Sequence, residues 1–239
     1  MKTLRSIALC ACALLTLGKP IAYAQTPAVT MASNAPFSDK NALPDLKDVY
    51  IQLQLANLYQ KGLGVPQDYT TAIAWYRKAA AQNSDVAQNN LGYMYEMGQG
   101  FTQSYATAAK WYQQSATQGN AYAQNNLGAL YERGLGVKRD YKMAFKLYKQ
   151  SAEQGFATAQ TNLGILYSSG FGVASDGFKA VKWLRKGAAQ GDALGQFALG
   201  VCYKLGYGVK HNRQLARYWF SKAAAQGVVA AQKELKKSN

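Results

Sequence analysis

Histidine occurs once in this chain of 239 residues, and cysteine three times. So few imidazole and thiol ligands argue against a Cys/His zinc site and exclude a small fold stapled by disulfides. Acidic side chains are scarce too. There are 12 Asp and Glu against 27 Lys and Arg, a formal charge of +15. The apolar run from Ile7 to Leu17 has 11 residues, too short to span a bilayer as a helix. Disorder across the chain is excluded by a hydrophobic content of 49%, enough to build a core.

The N-terminus reads as an export signal. Lys2 and Arg5 precede the apolar run, and Ala22-Tyr23-Ala24 supplies a small-residue cleavage site. The expected leader is residues 1–24, cut after Ala24, which predicts a periplasmic or secreted product. Cys10 and Cys12 lie inside it, and the residues before Cys12 resemble a lipobox only loosely. Without the leader the charge falls to +12, and Cys202 is the one cysteine left, so no internal disulfide can form. Residues 25–44, rich in Pro, Ala, Ser, Asn and Thr, read as a flexible linker, and 45–239 as the folded part.

A repeat of 36 residues fills that part. Leu-Gly recurs at Leu91-Gly92, Leu127-Gly128, Leu163-Gly164 and Leu199-Gly200, with Leu55-Ala56 in register before them. A tyrosine follows each Leu by four residues, at Tyr59, Tyr95, Tyr131, Tyr167 and Tyr203, and then a Gly-x-Gly pair. An aromatic or apolar pair comes next, from Trp75-Tyr76 to Trp219-Phe220. The periodicity predicts two helices per copy. Helix A carries Ala87, Leu91, Met94 and Tyr95 on one apolar face, and helix B carries Ala72, Trp75, Tyr76 and Ala79. Asp68, Ser104, Asp140, Asp176 and Asn212 are the expected N-caps of helix B. Its end is marked by Asn83, Gly119, Gly155, Gly191 and Gly227, residues that tolerate the left-handed conformation. A lone helix pair cannot bury its own apolar face, but stacked pairs can. The prediction is an all-α, right-handed α-solenoid of five helix-turn-helix repeats, at about 51–86, 87–122, 123–158, 159–194 and 195–230. A C-terminal capping helix over 231–239 follows, with Lys233, Glu234, Lys236 and Lys237 facing water. The fourth copy departs most. Gly177 replaces the Tyr of Tyr69, Tyr105 and Tyr141, which predicts looser packing there.

The pattern A-x-x-x-L-G-x-x-Y-x-x-G-x-G, then a cap, then A-x-x-W-Y-x-x-A-A-x-x-G, resembles the Sel1-like repeat, a relative of the tetratricopeptide repeat. The resemblance implies an adaptor that binds a protein or peptide along a groove, as in bacterial envelopes. Some secreted, cysteine-rich members resemble β-lactamase-like proteins, but those carry a disulfide in each repeat, and this chain does not.

The residues themselves offer no catalytic constellation, and no cofactor or metal is expected. His211, in a turn beside Lys210 and Arg213, reads as a solvated loop residue. Cys202 aligns with Leu58, Met94, Leu130 and Leu166, so it reads as core. The Gly-x-Gly pairs link helix to helix with no preceding strand, which sets them apart from phosphate-binding loops. The recurring Trp and Tyr columns suit packing better than base stacking.

Partner binding is expected on helix A, the concave side in this class. Gln52, Gln88, Gln124, Gln160, Gln196 and Gln232 form one column there, and Asn90, Asn126 and Asn162 another. Such amides could hold a peptide backbone or brace the turns, and both readings stand at this point. Positions that vary between copies are the expected specificity determinants: Asn89, Tyr93, Glu96, Asn125, Ala129, Glu132, Arg133, Ile165, Phe197, Val201 and Lys204.

Lys110, Lys146 and Lys182 align on helix B, as do Arg77, Lys149 and Arg185, so its outer face is basic. Export and the lack of a recognition module argue against nucleic acid. The leading expectation is an exported, monomeric, non-enzymatic scaffold that binds a protein or peptide, regulating an envelope sensor or neutralising a periplasmic toxin. The alternatives are a cell-wall or β-lactam-active enzyme, and a protein that adheres weakly to an anionic membrane or wall surface through the basic face.

Overall fold

A computed structural model of the chain describes residues 47–237. The expected leader and linker lie outside these residues. The described residues form eleven α-helices and no strand. They are α1 Val49–Lys61, α2 Tyr69–Ala81, α3 Asp85–Met97, α4 Tyr105–Thr117, α5 Ala121–Arg133, α6 Tyr141–Glu153, α7 Ala157–Ser169, α8 Gly177–Ala189, α9 Ala193–Leu205, α10 Arg213–Ala225 and α11 Val229–Lys236. Odd numbers from α1 to α9 are the first helices of the repeats, even numbers the second, and α11 is the capping helix. This is the stacked helix-turn-helix arrangement of an all-α solenoid.

The described chain divides into two compact units, an N-terminal one of residues 47–123 with 135–137 and a C-terminal one of 124–134 with 138–237. In the N-terminal unit α1 pairs with α2 and α3 with α4, and α2 packs on α3. Its core gathers Leu55, Trp75, Tyr76, Leu91 and Met94. In the C-terminal unit α7 pairs with α8 and α9 with α10, while α8 packs on α9 and α10 on α11. Tyr148, Leu163 and Leu166 form one core cluster there, and Leu184, Leu199 and Cys202 another.

Local chemistry sets the helix ends. Asp68, Ser104, Asp140, Asp176 and Asn212 each accept hydrogen bonds from amides two or three residues ahead, satisfying donors the helix cannot. The second helices end at a left-handed residue, and Asn83, at φ 63°, fills that position in the first repeat.

The Gly of each Leu-Gly pair has a packing cause. A Cβ added at Gly92 would lie 2.6 Å from the Tyr112 ring, and one at Gly128 would lie 3.0 Å from the Tyr148 ring. The ring of the second helix rests directly on the backbone of the first, so the pair closes tightly. At Gly177 the structure corrects the expected loosening. A Cβ there would lie 3.2 Å from the Tyr207 ring, and the Tyr207 hydroxyl pairs with the Ser175 hydroxyl at 2.9 Å. Tyr207 takes the room that the missing tyrosine leaves.

Candidate functional site

Helix A was expected to offer its polar columns to a partner. The structure turns most of them inward. The Tyr112 hydroxyl donates to Glu96 Oε2 at 2.8 Å, and the Tyr148 hydroxyl to Glu132 Oε2 at 2.7 Å. Glu96 and Glu132 are 3% and 7% exposed, too little for groove contacts. Burial pushes the Glu132 carboxyl above its ordinary pKa, although the Tyr148 hydrogen bond and the Arg133 charge pull it down. A carboxylate this buried needs a donor, and the tyrosine provides one.

The glutamine column braces the repeats. Gln82 donates to Gln52, Gln118 to Gln88, Gln154 to Gln124, Gln190 to Gln160 and Gln226 to Gln196, all at 2.7–3.0 Å. The second amide group of the rung reaches the preceding repeat. Gln160 Nε2 donates to the Ala152 carbonyl at 3.2 Å, and Gln196 Nε2 to that of Ala188 at 3.3 Å. Each of these two side chains therefore ties its helix to the end of the second helix before it and to the end of the one after it. Of the two readings open in the sequence, the bracing role is the one these contacts fill.

The asparagines are also engaged. Asn162 Nδ2 donates to Asn125 Oδ1 at 3.1 Å, joining α7 to α5 within the C-terminal unit. Asn125 contacts Asn126 and Asn89 contacts Asn90, both at 3.4 Å, and Asn90 also bonds the Tyr76 hydroxyl. Asn89, Asn125 and Asn126 are buried. So are Ala129, Ile165, Phe197 and Val201, which belong to the core clusters. The Phe197 ring lies 5.6 Å from that of Phe220. The column Asn89, Asn125, Thr161, Phe197 varies because the same interior position accepts either bonded amides or packed rings. Its variation is a change of packing solution rather than a sign of exposure.

What remains accessible is a smaller set. Arg133 and Lys204 are exposed, and Asn90, Tyr93 and Asn162 are half-buried. Lys204 is tied to the capping helix by an ion pair with Glu234, which also bonds Lys237 at 3.1 Å. Glu234 was expected to face water. Burial would raise its pKa, but the two lysines outweigh that and hold it low. Sequence reasoning missed Tyr50 and Tyr122, exposed at 55% and 37%. The signal was present, since Tyr50, Val86, Tyr122, Thr158 and Leu194 form another 36-residue column that varies. By helical register Val86, Asn90 and Tyr93 share one face of α3, so this column and Tyr93 belong to the same side of the first helices. Burial, with the Glu96 and Tyr69 charges adding to it, raises the Tyr93 pKa and keeps its hydroxyl a hydrogen-bond donor.

Cys202 is buried, and burial pushes its thiol up to about 12. His211 is exposed in the turn before α10. Among the described residues no group of three or more His, Cys, Asp or Glu is placed to hold a metal ion. No described helix is long and apolar enough to cross a membrane.

The repeated helix pair, with its polar columns bonded internally, defines a helical-repeat protein. The chain matches the Sel1 repeat family five times, over residues 50–84, 85–120, 121–156, 157–192 and 193–228. It belongs to the Sel1 repeat family, whose fold generally mediates protein–protein interaction and whose members are generally non-enzymatic scaffolds. Among solved structures it is similar to a protective antigen of uropathogenic Escherichia coli strains that displays an SLR fold. The identity is 41% and the TM-score 0.71, over 78% of this chain and 40% of that one. It is also similar to a Sel1 repeat protein from Oxalobacter formigenes, at 37% identity and TM-score 0.75, over 81% of this chain and 77% of that one. An immunity protein from Pseudomonas aeruginosa shares the fold at 21% identity and TM-score 0.51, over 74% of this chain and 68% of that one. No curated protein sequence matches significantly.

Proposed function

We propose that this chain is an exported, non-enzymatic scaffold that captures a protein or peptide partner through the first helices of its repeats. The observation that carries this reading is that the first helices of the N-terminal unit present the exposed Tyr50 and Tyr122 and the half-buried Tyr93 and Asn90. Residues 45–123 hold five Lys and Arg and five Asp and Glu, so this stretch of the chain carries no net charge. Tyrosine supplies large contact area at low entropic cost and keeps a polar tip for hydrogen bonds, which is why interfaces favour it. In the C-terminal unit Arg133 is exposed, and Asn162, half-buried, repeats the position of Asn90. The leader-like residues 1–24 support export, which places the partner in the envelope or outside the cell. Regulation of an envelope sensor and neutralisation of a delivered toxin both fit such a scaffold.

The test is capture from envelope extract with the full chain as bait. A Tyr50→Ala/Tyr93→Ala/Tyr122→Ala variant should lose a partner that the unaltered chain retains, at unchanged helicity. An identical set of captured proteins would overturn the assignment to this face. Mass analysis of the exported product should begin at Gln25, and an uncleaved N-terminus would contradict the export reading.

A further inference from the structure

Within residues 45–239 the net charge is confined to one part. Residues 45–123 are neutral, whereas residues 124–239 hold eighteen Lys and Arg against six Asp and Glu, a net of +12. Ten of those basic side chains lie on α6, α8 and α10, and all ten are exposed. Glu153 is the single acidic residue on the three helices. A solvated face needs charge for solubility, but mixed signs serve that end with less self-repulsion. A face of one sign is complementary to an anionic surface.

Apolar side chains are set among these charges. Phe178 is 80% exposed, and Met143, Leu215 and Tyr218 are exposed as well. Phe178, Lys182 and Arg185 follow at i, i+4 and i+7, so they form one stripe along α8. At the far end of the stripe Arg185 lines an open cleft of about 500 Å³ with Lys210, His211, Tyr203, Val209 and Leu215. The Arg185 guanidinium is held in place, since Nη2 donates to the Tyr203 hydroxyl at 3.0 Å and the group stands 5.8 Å from the Tyr203 ring centroid. Two cations at a cleft with an apolar wall match a phosphate joined to hydrocarbon.

We propose that the outer face of α6, α8 and α10 docks on an anionic phospholipid bilayer, with Phe178 entering the headgroup layer and the Arg185–Lys210 cleft receiving a lipid phosphate. The exposed apolar residues favour a bilayer over a soluble polyanion. A polymer of charge offers Phe178 no apolar phase, whereas the boundary between headgroups and acyl chains does. Basic residues near an anionic leaflet add attraction that falls away within a Debye length, so the contact is peripheral and salt-sensitive. This surface belongs to the second helices, so lipid docking leaves the first helices available to a partner.

Co-sedimentation of the full chain with vesicles tests the proposal. Binding should be strong to equal parts phosphatidylglycerol and phosphatidylcholine, weak to phosphatidylcholine alone, and weakened by salt. Arg185→Glu/Lys210→Glu should reduce binding to the anionic vesicles by more than about tenfold. Phe178→Ser should reduce it at unchanged charge. Arg77→Glu/Lys110→Glu, the same reversal on the neutral unit, should leave it unchanged. The full chain is used throughout, so any contribution of residues 1–24 cancels between variants. Circular dichroism and melting confirm the fold of each variant. With Trp introduced as Phe178→Trp, brominated phospholipid should quench the added fluorescence. Equal binding to both vesicle types, or no loss in the Arg185 and Phe178 variants, would overturn the proposal. So would tight binding to heparin that Phe178→Ser leaves unaltered together with no quenching, the result for a polyanion site.

Discussion

The Tyr148 hydroxyl donates a 2.7 Å hydrogen bond to Oε2 of Glu132, sixteen residues earlier in the chain, and both side chains are buried. The relationship recurs. Tyr112 bonds Glu96 at 2.8 Å, and Tyr76 bonds Gln60 at 2.9 Å. Where Leu184 and Phe220 lack a hydroxyl, Ser168 and Lys204 replace the acceptor. Donor and acceptor change together because either alone would be an unsatisfied buried group.

Glu132→Gln follows from this pair. The amide keeps the acceptor, as Gln60 does naturally, and removes a buried charge. The Glu132 pKa is raised above its ordinary 4.5 in the folded chain. The folded state therefore binds more protons between the two values, and stability falls as pH rises through that window. The penalty is complete above the folded pKa and absent below 4.5. Urea unfolding of Glu132→Gln should show equal or greater stability than the unaltered chain at about pH 8 and a flatter dependence down to about pH 5. Loss of stability at every pH with an unchanged slope would contradict this account. Tyr148→Phe, which strands the carboxylate, should cost about 1–3 kcal/mol.

Gln160 joins three successive helices of the C-terminal unit. Gln160→Ala removes an acceptor from Gln190 and a donor from the Ala152 carbonyl. The expected cost is about 1–3 kcal/mol, measured by thermal or urea unfolding. The exposed Gln150, one helix turn before the end of α6, should tolerate the same change within about 0.5 kcal/mol. Equal effects at the two sites would remove the bracing role.

Gly128→Ala puts a methyl group 3.0 Å from the Tyr148 ring, and Gly92→Ala puts one 2.6 Å from the Tyr112 ring. Both should destabilise by about 1–3 kcal/mol through overpacking, despite the better helix propensity of Ala. The Gly92 variant should be the worse of the two. A gain in melting temperature at either position would show that the contact is looser than the geometry states.

Cys202 gives a chemical readout of core integrity. Its burial and its thiol pKa of about 12 predict that a thiol reagent leaves Cys202 unmodified in the native chain near neutral pH and labels it fully after denaturation. Rapid labelling of Cys202 in the native chain would mean that α9 opens locally at low cost.

Much of the fold was legible because a fixed period of 36 residues carries it. The helix faces, the caps at Asp68 and Asn212 and the left-handed Asn83 all follow from side-chain chemistry that acts within a few residues. The polar columns were less legible. Glutamine and asparagine suit water and a bonded interior alike, so recurrence alone cannot place Gln160 or Asn125. Glu96 and Glu132 read as surface residues because carboxylates are rarely buried without a partner, and the partner lies on another helix. The sixteen-residue pairing with Tyr112 and Tyr148 was the available signal. Phe197 and Val201 vary in the interior for the same reason, as neighbouring helices set which shape fits. Tyr50 and Tyr122 needed the structure, because only packing shows that this varied column stays outside.

In the proposed complex the first helices hold the partner. Hydrogen exchange of the chain with and without its captured partner tests this most directly. New protection is expected in Val49–Lys61 and Asp85–Met97, with the second helices unchanged. Protection confined to α6, α8 and α10 would contradict it.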